Sequence, residues 1–214
     1  KRVLVLGGTG FVGRHVCERL VAHLPGVTLV VPTRRLAAAH TVRHLPGVEP
    51  VQADVHDPAQ AAALLRGADA LVHLVAILHG DAAGFERVHV TLPRTLADAA
   101  QAAGVQRVVH VSALGVADEA TTPAPSLYLR SKAAGEAVWR ASGLPLAILR
   151  PSVIFGADDR FTNLFARLLR LAPVMPLAGA DASFQPVWVG DVAEAVARTL
   201  QAPPADDPVL ECAG

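Results

Sequence analysis

The chain is short of the residues on which several classes of function depend. It has two cysteines, Cys17 and Cys212. Cys17 falls on a helical face and Cys212 near the end, so neither a disulfide framework nor a cysteine-built metal site is expected. It has no excess of either charge: 19 Lys and Arg stand against 19 Asp and Glu. Without a basic field, nucleic acid and anionic membrane surfaces have no sequence-wide electrostatic partner here. Long apolar runs are missing too. The longest stretch free of Asp, Glu, Lys and Arg, from Leu20 to Thr33, is interrupted by Pro25 and Gly26, whereas a bilayer span needs about 20 apolar residues. No membrane span is expected, which leaves peripheral association and oligomeric state open. No signal peptide is visible, so a reduced cytoplasm is the expected compartment; the first residue is a lysine, and a trimmed natural N-terminus is expected.

What is present is apolar and rhythmic. Hydrophobic residues make up 52% of the 214 and charged residues 18%, enough to bury a large core in one α/β domain with a modest extension. Val3–Leu6, Val27–Val31, Val48–Gln52, Ala70–Leu74, Arg107–Val111 and Pro145–Leu149 read as strands. They are expected as unbroken Val, Ile and Leu runs, the pattern of parallel strands covered on both faces. Helices are expected over Phe11–Ala22, Pro58–Leu65, Phe85–Ala103 and Leu127–Ala141. Asp57 can cap a helix that Pro58 opens, and Gly67, Gly104 and Gly143 fall where helices end on a left-handed residue. The alternation predicts a right-handed, doubly wound parallel sheet.

After Pro151 the rhythm changes. A helix over about Asp159–Leu171, a Pro/Gly-rich stretch, a short strand near Phe184–Val187 and a helix over Asp191–Leu200 are expected. The turn Pro203-Pro204-Ala205-Asp206-Asp207 then leads into a last strand, Val209–Cys212. Residues 1–150 form the expected main domain. Residues 151–214 are expected as a small cap over the C-terminal edge of the sheet, where open α/β folds place ligands, and not as an independent domain. There is no internal repeat.

Directly after the first strand stands Gly7-Gly8-Thr9-Gly10-Phe11-Val12-Gly13, followed by a helix. Glycines at 7, 10 and 13 allow a tight turn, close backbone approach to a pyrophosphate, and close packing of helix on strand. The unpaired N–H groups and positive end of that helix then face the phosphates. Placed at the first crossover of a βαβ series, this is the fingerprint of a Rossmann-type dinucleotide fold. NAD binders usually carry a carboxylate at the end of the second strand to accept the ribose 2′-OH. Here the chain reads Val31-Pro32-Thr33-Arg34-Arg35. Two guanidiniums suit a 2′-phosphate, so NADP(H) is the expected cofactor, with NAD(H) as the alternative. Asp54, past the third strand, has the position from which an acid meets the adenine edge; a helix cap or a solvated turn carboxylate is the competing reading.

The only tyrosine, Tyr128, precedes Lys132 by four residues inside the helix after the fifth strand, and the only other lysine is Lys1. At that spacing both side chains emerge on one helix face. A free phenol ionises near about 10, so working near neutrality needs its pKa lowered by about 3, on the order of 4 kcal/mol. A fixed ammonium one turn away favours the phenolate and is expected to supply part of that. Ser112, at the C-terminal end of the fifth strand, is expected to hydrogen-bond a substrate oxygen as charge develops on it.

The Gly7/Gly10/Gly13 loop, Ser112, the Tyr128-x-x-x-Lys132 pair and Arg150-Pro151-Ser152-Val153 resemble the short-chain dehydrogenase/reductase superfamily. Within it, they resemble the extended and atypical branch, the NAD-dependent epimerase/dehydratase family. The run from Arg107 through Val138 is similar to the branch containing the nucleotide-binding accessory subunit of respiratory complex I and proteins linked to ubiquinone biosynthesis. Phe184-Gln185-Pro186-Val187-Trp188-Val189-Gly190-Asp191-Val192 resembles that family's segment leading into the last helix. The resemblance covers essentially the whole chain, and such families usually continue past Gly214, so part of the substrate cap is expected to be missing.

The resemblance implies that Gly7, Thr9, Gly10, Phe11, Val12 and Gly13 cradle the pyrophosphate. It implies that Arg34 and Arg35 read the 2′-phosphate and that Asp54 with Val55 meets the adenine. Leu74, Val75, Ala76 and Val111 would line the cofactor, and Pro151 to Val153 would abut the nicotinamide. Tyr128 would be the general acid/base, Lys132 its electrostatic partner and a holder of the ribose, and Ser112 the polariser. Two departures stand out. The loop after the fifth strand, Ser112-Ala113-Leu114-Gly115, is less polar than in epimerases, and His89 stands where many relatives have Asn.

Other candidates carry less. His40 and His44 have helical metal spacing but no Glu or Cys to complete a ligand set, so no metal is expected. His73 and His110 fall in strands and are expected as paired core histidines. Trp188 and Phe184 could line a substrate pocket or pack in the core. The leading expectation is an oxidoreductase or epimerase/dehydratase acting on a small-molecule substrate. The rival is a binding module: an accessory, assembly or redox-sensing protein that holds the dinucleotide without turnover.

Overall fold

The computed structural model describes residues 1–116, 126–159, 184–203 and 208–214. Its main sheet is built from β1 (Arg2–Leu6), β2 (Thr28–Thr33), β3 (Val48–Gln52), β4 (Ala70–His73), β5 (Arg107–Val111), β6 (Leu146–Pro151) and β9 (Val209–Cys212), in the order β3-β2-β1-β4-β5-β6-β9. Every neighbouring pair is parallel. The direction of winding reverses between β1 and β4, and ligands of open α/β sheets bind at such a switch point.

The helices are α1 (Phe11–His23), α2 (Pro58–Leu65), α3 (Ala82–Glu86), α4 (Leu92–Ala103), α5 (Leu127–Ala141) and α6 (Val189–Gln201). Strand side chains alternate between faces, and each face is apolar. Leu4 and Leu6 point into a core with Leu64 and Leu65 of α2, Leu96 of α4 and Trp139 of α5. Val3 and Val5 point the other way, onto Val16 and Leu20 of α1 and Val196 of α6. The punctuation behaves as its chemistry demands. Asp57 caps α2 by accepting from the N–H of Ala59 at 2.9 Å, and α4 ends on Gly104 with φ +71°.

Several expectations need correction. The third strand is not a continuous apolar run: it reads Val-Glu-Pro-Val-Gln and lies at the sheet edge, where Pro50 costs no ladder bond. The helix expected over Phe85–Ala103 is two helices joined by one π-helical turn, Arg87–Thr91. Leu36–Thr41 is a 3-10 turn that stops short of His44, so His40 and His44 do not share a helix face. His40 instead bonds the Ala37 carbonyl through Nδ1 at 2.9 Å. The strand near Phe184 is β8 (Val187–Trp188), paired in parallel with β7 (Ile154–Phe155) as a separate ribbon, and α6 begins at Val189. The rest of the expected Asp159–Leu171 helix beyond Asp159, and 204–207 of the expected turn, lie outside the described residues. From the C-terminal segment, α6 returns to pack on α1 and β9 extends the main sheet beyond β6.

Candidate active site

The glycine loop is shaped by contacts that no side chain could share. Gly7, at φ +82°, turns the chain out of β1, and its carbonyl accepts from Gly10 N–H at 2.9 Å. A Cβ on Gly13 would overlap the Gly7 carbonyl and the Gly8 backbone. The start of α1 has no side-chain cap and no acidic residue in its first turn, so its leading amides are left for an anion. A Cβ on Gly7 would press on Leu74 and Val75 at 3.3 to 3.4 Å, which puts the chain leaving β4 beside the loop. The β7–β8 ribbon meets the loop as well: a side chain at Gly156 would run into Phe11 and Val189, and Arg14 pairs with Asp158. These features fit a bound pyrophosphate.

Past the C-terminal ends of β2 and β3, Arg34 and Asp54 line a cavity of about 420 Å³ with Gln52, Ala53 and Gln60. Arg35 is exposed and does not line it; its neighbour Thr33 folds back to donate to the Arg35 carbonyl at 3.1 Å. Asp54 is built into the turn, its N–H donating to Gln60 Oε1 at 2.9 Å and its Oδ1 accepting from His56 N–H at 3.0 Å. Val55 is partly buried against the core.

The residues expected to move the proton lie around the N-terminal half of α5, which Ser126 caps by accepting from Leu129 N–H at 3.1 Å. Lys132 is 2% exposed, and its Nζ donates to the Val111 carbonyl at 2.9 Å. Burial pushes its pKa down to about 8, while the charge of Glu136 works the other way. Tyr128 stands one turn earlier, its ring edge-on to His89 at 5.7 Å and to Phe85 at 6.3 Å. The expected lowering of its phenol is not found: burial raises it. The Lys132 Nζ is bonded to the Val111 carbonyl, and burial of the phenol prevails over any help that ammonium gives it.

Ser112 is buried, and its Oγ has no hydrogen-bond partner. It lies beside Glu136, close enough to favour the carboxylate but outside hydrogen-bond geometry. Burial works to raise Glu136, but Arg150 donates to both of its oxygens, at 2.9 and 2.7 Å, and the balance leaves it below the usual carboxylate range. Pro151 ends β6, and Val153 accepts at its carbonyl from Val187 N–H at 2.9 Å, tying the family-like Arg-Pro-Ser-Val segment to the ribbon.

Residue reasoning alone missed the role of His89. The π turn carries it toward α5, where Nε2 accepts from the Ile77 N–H at 3.1 Å and Nδ1 meets Ser131 Oγ at 2.8 Å. Ser131 in turn donates to the Tyr128 carbonyl at 2.7 Å. Accepting at Nε2 leaves the proton on Nδ1, so the neutral Nδ1–H tautomer satisfies the whole chain. Burial and then the Lys132 charge lower this imidazole to about 4. A π-helical turn leaves no periodic signature in sequence. Glu136 did have one, at four residues from Lys132 on the same helix face.

His73 and His110 pair as expected, Nδ1 to Nδ1 at 3.0 Å beneath Trp139. Trp188 and Phe184 are 47% and 61% exposed and so are not core residues. No cluster of three metal-ligating side chains occurs among the described residues. Among them, no helix is long and apolar enough to cross a membrane.

Comparison with known proteins bears on the family and the fold. The model of the NAD dependent epimerase/dehydratase family matches residues 3–211. The mitochondrial NADH dehydrogenase (ubiquinone) 1 alpha subcomplex subunit 9 of Mus musculus is 32% identical over 213 residues, covering 94% of this chain and 53% of the relative. A ceramide reductase of Caulobacter vibrioides is 32% identical over 202 residues, covering 94% and 61%. The chain thus spans about half the length of the curated relatives it matches. Among solved structures, dTDP-glucose 4,6-dehydratase from Streptomyces venezuelae with NAD bound superposes with a TM-score of 0.84 at 30% identity, over 99% of this chain and 75% of that one.

Proposed function

The chain belongs to the NAD dependent epimerase/dehydratase family, and on that footing we propose that it is a dinucleotide-dependent oxidoreductase in which Tyr128 exchanges the proton. A bound nicotinamide supplies the hydride-accepting or hydride-donating carbon. The glycine loop and the open amides of α1 hold the pyrophosphate, Arg34 meets the ribose 2′-phosphate of NADP(H), and the segment from Leu74 to Ala76 covers the cofactor beside Gly7. Residues 1–150, completed by α6 and β9, form the dinucleotide-binding unit, and the ribbon with its flanking residues contributes the substrate side. Tyr128 then gives a proton to, or takes one from, the oxygen on the reacting carbon. Lys132, one turn below, holds positive charge at the end of β5. The observation that carries this reading is the buried ammonium of Lys132 bonded to the Val111 carbonyl, a placement that leaves it at the sheet edge where catalytic groups collect. The reductase relative acts on ceramide, and the exposed Phe155, Phe184 and Trp188 favour a carbonyl substrate with an apolar body.

The test is turnover. Tyr128→Phe should lower kcat by two or more orders of magnitude with cofactor affinity nearly unchanged. Equal turnover by the variant removes Tyr128 from the reaction.

A second reading has its own support. The raised phenol and the inward position of Ser112 suit a protein that holds its dinucleotide without turnover, as an accessory subunit would. In that case the wild type binds cofactor but oxidises none against any carbonyl, and Tyr128→Phe complements a deletion fully.

A further inference from the structure

Glu136 has no role in the proposed reaction, yet it is 3% exposed and ionised. A buried carboxylate costs several kcal/mol unless it is paired and hydrogen-bonded. Arg150, from the end of β6, supplies a two-pronged bond, and Arg140, one helical turn along α5, approaches at 3.4 Å. The pair therefore bolts α5 to the sheet. The same carboxylate stands one helical turn from Lys132 on α5, both side chains buried, and among the described residues its charge is the one that acts to keep that ammonium protonated.

The rest of the lysine's surroundings work against its charge or leave it alone. His73 on β4, His110 on β5 and His89 in the π turn are all held neutral, by burial first and by the Lys132 charge next. Tyr128, one turn earlier on α5, is an un-ionised phenol. The Val111 carbonyl accepts a hydrogen bond but brings no net charge.

We propose that Glu136 is a positioning residue for Lys132: clamped by Arg150, its carboxylate is the counter-charge that keeps the ammonium charged and seated on the Val111 carbonyl. The functional weight of this rests on Lys132 serving Tyr128 as proposed above, but the electrostatic relationship can be measured with no turnover at all. Glu136 acts through Lys132 and touches neither substrate nor cofactor.

The chain's two lysines make the measurement direct. Protein labelled with 13Cε-lysine gives one signal from Lys132 and one from Lys1, and each is titrated by NMR on the full chain. The wild-type Lys132 midpoint is expected near 8. Glu136→Gln should move it down by about one pH unit, the effect of losing one nearby opposite charge, while Lys1 does not move. A merely structural Glu136 would change the melting temperature and leave the Lys132 midpoint where it was, because Gln still accepts from Arg150. Should E136Q fail to fold, Glu136→Asp draws the carboxylate back by one methylene, and a smaller downward move is then expected. An unchanged midpoint in whichever variant folds overturns the proposal. A shifted midpoint with no turnover in the wild type overturns the oxidoreductase reading instead and leaves the Glu136 assignment standing.

Discussion

The backbone carbonyl of His89 lies where a Cβ of Gly135 would be, so the π turn and α5 touch at a point only glycine can occupy. The π turn pushes this carbonyl outward, and α5 accepts it without a side chain. The contact brings the His89 ring to Ser131 and so ties the chain after β4 to the helix that carries Tyr128.

Gly135→Ala therefore forces backbone apart rather than a side chain aside. The expected cost is about 2 kcal/mol, or a melting temperature lower by roughly 4–8 °C for a chain of this size. A variant melting within 1 °C of the wild type would show that the two segments separate freely.

Acid should unfold the protein earlier than its carboxylates alone would. Three histidines are held neutral in the fold, His73 down to about 3, His89 to about 4, and His110 well below its ordinary value. Their unfolded value is 6.5. The unfolded chain then binds more protons below that value, and stability falls as pH drops from 6.5 toward 4. With three such groups the slope reaches about 4 kcal/mol per pH unit. Denaturant midpoints from pH 7 to pH 4.5 should fall steeply, and His73→Leu with His110→Leu should flatten the curve.

Alkali brings two opposed effects. Lys132 ionises near 8 in the fold against 10.5 when unfolded, so the folded state sheds its proton first and stability rises between those values. Cys17 is pushed up to about 12 by burial against an ordinary 9. The unfolded chain then loses the thiol proton first, and stability declines as pH passes 9. Wild-type stability should thus rise from pH 8 to 9 and level off beyond. The rise should vanish in Lys132→Met, and the levelling should weaken in Cys17→Ala, leaving the part due to Cys212, whose thiol burial also raises.

Cofactor choice should rest on one guanidinium. Arg34 lines the cavity at the ends of β2 and β3 and Arg35 does not. Arg34→Ala is expected to weaken NADPH binding about 10- to 100-fold, the value of a charge-assisted hydrogen bond, and to spare NADH. Arg35→Ala should change either by less than about threefold. A larger melting-temperature rise with NADH than with NADPH in the wild type would reverse the assignment.

Much of the fold was legible because its signals are local. Continuous Val, Ile and Leu runs marked the buried strands. Asp57-Pro58 opened α2 as side-chain capping requires, and Gly104 closed α4 at a positive φ. The glycine loop was legible for the same reason, since its spacing answers to backbone clashes within a few residues of chain. Tyr128 and Lys132 were legible because one helical turn separates them.

The sequence by itself determined the parallel doubly wound sheet, the place of the glycine loop after β1 and the one-turn spacing of Tyr128 and Lys132 on α5, all consequences of steric and periodic rules acting over short separations. Only the tertiary structure decided what those side chains face. His89 reaches Ile77 and Ser131 across a π turn, Ser112 turns inward beside Glu136, Arg150 crosses from β6 to clamp that carboxylate, and the Lys132 ammonium meets the Val111 carbonyl. Burial and charge at a site are sums over neighbours distant in the chain, and no local pattern records that sum.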